Sequence, residues 1–208
     1  SRGLDGHLPT GVDRVALEYV RYFSSRARAM VRFGWRWMEL DSAGSQTVFE
    51  ALLLPGPGFA RAVRSCVAKA YCWSWSVRAH SLLLNVGHSG LDDPQYAHQL
   101  RRWNAWPVFF LHDLIPLRYP EFCRAGEAEK HLQRVMTMLN AGRGLIVNSA
   151  DTQEALIHFA RQRGIKPPPV AVAPLAPATL LTTTDKRPLA KPYFVMLGTI
   201  EPRKNHLM

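Results

Sequence analysis

The chain has 208 residues, 47% of them hydrophobic, and its 26 Lys and Arg against 16 Asp and Glu give a formal net charge of +10. That composition provides for one real core and excludes disordered, collagen-like and coiled-coil classes, and the charge calls for an acidic partner or surface. Three cysteines without a paired framework fit a reducing compartment, and the sequence has no run of about 18 apolar residues to span a bilayer.

Residues 11–27 read as the first helix. Val12, Val15, Ala16, Tyr19, Val20 and Phe23 share one face, with Thr10 as N-cap and Asp13 completing a capping box. Val31, Phe33, Trp35 and Trp37 then alternate with Arg32, Gly34 and Arg36, the period of a half-buried strand. After the break Pro55-Gly56-Pro57-Gly58, residues 59–78 mix Arg61, Arg64, Lys69 and Arg78 with Val63, Val67, Tyr71, Trp73 and Trp75. Short apolar runs at 81–86, 107–111, 144–147, 170–172 and 193–197 read as buried strands; residues 126–141 and 150–163 read as helices. Asn148-Ser149 caps the second of these and Gly164 ends it. Strands alternating with helices imply a mostly parallel sheet covered on both faces, so the fold class is α/β and Rossmann-like. A Pro-punctuated linker at 183–192 separates a domain at 1–182 from a new strand and loop at 193–208, read as the start of a second domain.

The charge has two readings. The basic residues are dispersed, and no zinc-ligand spacing, RNA-binding signature or basic heptad accompanies them, which weakens a nucleic-acid reading. Residues 59–78 suit an interfacial helix on an anionic membrane; they equally suit a solvated basic helix whose aromatics pack inward. Cys66, Cys72 and Cys123 have no metal or disulfide spacing and default to buried free thiols.

Three places carry candidate chemistry, each where a strand or linker gives way to a loop or helix. Gly11, after Leu8-Pro9-Thr10, opens a helix whose N–H groups face an anion, or simply follows a cap. The run Val108 to Leu111 delivers His112 and Asp113 at a strand's carboxyl end, where the carboxylate would orient the imidazole or bond its own turn. Arg203 and Lys204 follow the Gly198 loop and suit a diphosphate, or form a solvated charge pair.

Together these segments resemble the retaining nucleotide-sugar glycosyltransferases of family 4. The likeness rests on Pro9-Thr10-Gly11-Val12-Asp13-Arg14-Val15, Leu84-Asn85-Val86-Gly87, Phe110-Leu111-His112-Asp113-Leu114-Ile115-Pro116, Ile146-Val147-Asn148-Ser149 and Gly198-Thr199-Ile200-Glu201-Pro202-Arg203-Lys204-Asn205-His206. The resemblance implies a GT-B fold, with this chain as its acceptor-side N-terminal domain, the first strand preceding Ser1 and most of the second domain following Met208. It implies catalytic roles for His112, facing the sugar, and Asp113, supporting the turn. Donor or acceptor contacts would fall to Gly11, Asn85, Gly87, Asn148, Ser149, Arg203 and Lys204. It implies no metal or cofactor, a nucleotide-sugar donor such as GDP-mannose, and a lipid-linked or oligosaccharide acceptor of bacterial surface polysaccharide biosynthesis. The protein would be cytoplasmic, peripheral at the inner face of the membrane through residues 59–78, and would not bind nucleic acid. The 208 residues alone would not turn over. Two other classes stand beside it: a non-catalytic Rossmann-like binding module and a basic nucleic-acid-binding domain.

Overall fold

The computed structural model describes residues 10–34, 36–54, 56–73, 80–176, 191–195, 198 and 202–204, with Trp73 and Arg203 described by their backbone. Thr10 accepts a hydrogen bond from the Asp13 N–H and returns its own N–H to the Asp13 carboxylate, so the expected capping box opens α1 (Gly11–Phe23). An antiparallel hairpin follows, β1 (Met30–Phe33) with β2 (Arg36–Glu39), then α2 (Ser42–Leu53) and α3 (Phe59–Trp73). The rest builds one parallel sheet from β3 (Leu82–Asn85), β4 (Trp106–Leu111), β5 (Gly144–Val147) and β6 (Val170–Val172), in that spatial order. Helix α4 (Pro94–Arg102) connects β3 to β4, α5 (Ile115–Arg118) and α6 (Glu127–Ala141) connect β4 to β5, and α7 (Ala150–Gln162) connects β5 to β6. Parallel strands need such crossovers, and the α/β reading of the sequence holds.

Alternation along β4 and β5 assigns the faces. Phe109, Leu111, Leu145 and Val147 enter a core with Tyr96 and Leu100 of α4, Val135 and Met138 of α6, and Leu156 and Phe159 of α7. Phe110 points to the opposite face, where the Tyr19 ring of α1 meets it edge-on at 6.1 Å. Helices therefore cover both faces of the sheet.

A smaller core lies under the hairpin, from Ala29, Met38, Leu40, Val48, Phe49 and Ala70. The Ser45 hydroxyl is buried in it, accepting from the Ala29 N–H and donating to the Leu40 carbonyl, so two backbone groups are satisfied by one side chain. Trp37 joins this region to the sheet. Its indole packs on Tyr96 at 4.6 Å with the rings tilted by 40°, and it covers Gly90, where φ is +78° and any Cβ would collide with the ring. Beside it Arg32 pairs with Asp93 at 2.7 Å.

Four expectations are corrected. The first helix ends at Phe23 rather than 27, because the chain turns there to bring Ala29 to Ser45 and Leu40. The single strand over 31–37 is a hairpin: Gly34, at φ +58°, starts a two-residue connection between Phe33 and Arg36. Residues 193–195 form no strand and Phe194 is fully exposed, since no neighbouring strand pairs with them among the described residues. The thiols form no disulfide, as expected, but none is buried: Cys72 is exposed and Cys66 and Cys123 are half-buried. Residues 1–9, 35, 55, 74–79, 177–190, 196–197, 199–201 and 205–208, which include Trp35, Pro55, Trp75, Arg78 and most of the linker, lie outside the described residues.

Candidate functional site

The parallel register pairs Leu111 with Val147, so the residues that follow, His112 and Asn148, leave the sheet side by side at its carboxyl edge. Ligands of open α/β sheets bind at that edge. A cleft of about 280 Å³ opens here, lined by His112, Asp113, Arg118, Asn148, Ser149 and Asp151 among others.

His112 is buried at 8% exposure, and its Nε2–H donates to the Val86 carbonyl at 2.9 Å. That bond ties the β4 end to the loop after β3. In the neutral ring it also fixes the tautomer, leaving the Nδ1 lone pair without a hydrogen-bond partner among the described residues. Asp113 does not orient this imidazole as the sequence allowed. Its carboxylate accepts from the Ile115 N–H at 3.0 Å and starts α5, the turn-supporting alternative. Its carbonyl accepts from His131 Nε2–H at 2.9 Å, which fixes the same turn from α6.

Across the cleft, Ser149 caps α7 by accepting from the Thr152 N–H at 3.1 Å, and Thr152 Oγ1 donates to Asn148 Oδ1 at 3.0 Å. The Asn148 Nδ2 group is left for the cleft, with no hydrogen-bond partner among the described residues. Arg118, from the end of α5, adds a cation. It lies 3.4 Å from Asp151 and 5.5 Å over the Tyr119 ring, with both charged side chains exposed.

Behind His112 lies a set of imidazoles that sequence reasoning missed. The His88 ring sits 5.4 Å from His112 and 5.7 Å from His131, and its Nε2 is buried without a partner. Burial first, then His112, His131 and Arg134, push His88 down to about 3; burial also lowers His131. His88 is therefore neutral at neutral pH. Arg134 is tied to Glu127 at 3.1 Å and lies 3.9 Å from Asp92. Among the described residues, no group of His, Cys, Asp and Glu converges as metal ligands would. His88 sits in the Gly87–Gly90 loop at the same sheet edge, so the strand-end argument that selected His112 applies to it too. His131 gives no such signal, because its partner is a backbone carbonyl 18 positions away.

Of the remaining sequence-predicted residues, Asn85, Gly87, Gly11 and Lys204 do not line this cleft. The Asn85 amide turns back to the Ser89 carbonyl and the Tyr96 hydroxyl, each at 3.2 Å, and so holds the loop after β3. Gly87 follows Val86 with open space beside its Cα, and Gly11 is exposed at the start of α1 with similar space. Lys204 is exposed and its ammonium folds against Gly198, while the Arg203 side chain lies outside the described residues. In α3, Val63 and Val67 pack on the smaller core whereas Tyr71 is exposed. No described helix is long and apolar enough to cross a membrane.

No family model matches the chain, and no curated protein and no solved structure matches it significantly.

Proposed function

We propose that this chain is the acceptor-side domain of a retaining nucleotide-sugar glycosyltransferase of GT-B type, acting on a saccharide or lipid-linked saccharide acceptor. What supports the reading is one observation: His112 and the pair Asn148-Ser149 line a single cleft at the carboxyl edge of a parallel sheet. In this reading His112 uses its unpartnered Nδ1 to hold a hydroxyl of the transferred sugar. The Asn148 amide donates to the sugar or acceptor, and Arg118 faces anionic substituents. Arg203 and Lys204 neutralise the nucleotide diphosphate as it leaves, which is where charge grows in an oxocarbenium-like transition state. Asp113 acts by shaping the turn, and Asn85 by shaping the loop that supplies the Val86 carbonyl.

The test is a transfer assay on the protein expressed from its natural reading frame, with a panel of nucleotide sugars headed by GDP-mannose and polyprenyl-diphosphate saccharides as acceptors. The expected result is a glycoside with the donor's anomeric configuration, read by NMR. Absence of transfer and of donor hydrolysis across the panel, or an inverted product, overturns the reading.

A further inference from the structure

The outer side of α3 carries a feature that the cleft does not use. Arg61, Arg64, Ala68 and Tyr71 are all exposed and recur at spacings of three, four and three residues, so they form one stripe along the helix. Val63, Cys66, Val67 and Ala70 take the opposite side, against the smaller core. The helix contains no acidic residue. At its carboxyl end the hairpin turn reaches over. Phe33, 59% exposed, meets the Tyr71 ring edge-on at 5.8 Å. The Arg36 guanidinium lies over the same ring at 5.1 Å and bonds to the Tyr71 carbonyl at 3.3 Å. Two aromatic rings are thus held out in solvent, with Arg64 and Arg61 roughly 10 and 15 Å away along the helix.

We infer that this face docks on an anionic lipid bilayer. The helix lies in the plane of the surface, Phe33 and Tyr71 enter the boundary between headgroups and acyl chains, and Arg61 and Arg64 meet lipid phosphates. Single-stranded nucleic acid is the other polyanion that uses aromatics with arginines, but its bases stack on open ring faces. Here the two rings cross at 77° and Arg36 already covers one face of Tyr71, so this patch offers no stacking platform.

The experiment is vesicle flotation, comparing phosphatidylcholine alone with phosphatidylcholine mixed with phosphatidylglycerol. The wild-type protein floats with the anionic vesicles and stays behind with the neutral ones. Arg61→Gln with Arg64→Gln weakens partition on the order of thirty-fold, the equivalent of two surface cations at an anionic bilayer. Phe33→Ser weakens it by about ten-fold through lost apolar insertion. A control pair at the carboxyl end of α7, Arg161→Gln with Arg163→Gln, removes the same charge elsewhere and leaves partition unchanged; urea midpoints verify that all variants fold. Indifference to lipid charge, wild-type partition by the Arg61/Arg64 variant, or an equal loss from the α7 pair overturns the inference. So does tighter binding to a single-stranded oligonucleotide that anionic vesicles fail to displace.

Discussion

Phe109 and Phe49 are both buried phenylalanines, yet they occupy cores of different size. Among the described residues, Phe109 is fully enclosed in a cluster of 14 buried residues on one face of the parallel sheet, whereas Phe49 keeps 7% exposure in a group of six beneath the hairpin. The sheet region packs α4, α6 and α7 against one face, so it presents His112 from a rigid edge. The hairpin region has a thinner core and carries the exposed aromatics and cations. A rigid region thus positions the cleft, and a lighter one faces outward.

The largest effects should expose that difference in core. Phe109→Ala is expected to destabilise the protein by about 4–5 kcal/mol, and Phe49→Ala by about 3 kcal/mol, because the smaller site can partly collapse. Urea unfolding with an unchanged m-value measures both, and equal losses would erase the distinction between the two cores. Gly90→Ala sharpens it at the seam. The substitution meets both a left-handed backbone and the Trp37 ring, and it should remove about 2–3 kcal/mol. The near-UV circular dichroism of Trp37 should change while hydrogen exchange in β4 and β5 stays protected. An unaltered spectrum would mean that the hairpin does not depend on this seam.

Acid should act on the sheet edge. His88 has a folded pKa of about 3, below its unfolded value of 6.5, so the unfolded chain binds more protons in that interval. Its stabilising contribution is complete above pH 6.5 and is lost as pH falls towards 3, at up to about 1.4 kcal/mol per pH unit. The lowered His131 acts in the same direction. Wild type should therefore be roughly 2 kcal/mol less stable at pH 5 than at pH 6.5, with His88→Gln much flatter, by urea midpoints at the two pH values. A flat wild-type profile would contradict the buried neutral imidazole. The smallest effect belongs to the start of α1, where Thr10→Ala removes one side-chain cap and should lower stability by about 1 kcal/mol, visible as a small drop in Tm.

Much of the sheet region was legible in the sequence because its signals are local. The run ending at Leu111 and the four residues of β5 are unbroken apolar stretches with turn residues at their ends, and the Ser149 cap announces α7. The position of His112 follows from the same pattern, since a residue after a buried parallel strand emerges at the ligand edge. The hairpin was not legible: apolar residues alternate straight through Gly34, and only the positive φ there reveals a turn. Helix α2 hides because Ser42, Gly44, Ser45 and Thr47 dilute its period, although Asp41 caps it by accepting from the Gly44 N–H at 2.7 Å. Helix α4 is short, and its one local sign is the Asp93 cap before Pro94. In the site, Asp113 takes the turn-supporting alternative that the sequence offered, and Asn85 behaves in a similar way. Both were placed at the correct edge, but each directs its polar group to the protein itself, a choice decided by Ile115, Ser89 and Tyr96 in three dimensions. The imidazole pair His88 and His131 depends on contacts between distant segments, which no local pattern encodes.

The most direct measurement of the central claim is the initial rate of sugar transfer by His112→Ala, with His88→Gln beside it and urea midpoints for both. If the cleft is the transfer site, His112→Ala loses rate by orders of magnitude with the fold intact, while His88→Gln, which touches no substrate in this account, keeps most of the rate at neutral pH. Near-normal transfer by a folded His112→Ala protein would reduce His112 to a tie between the β4 end and the Val86 carbonyl, and the cleft would lose its role in the chemistry.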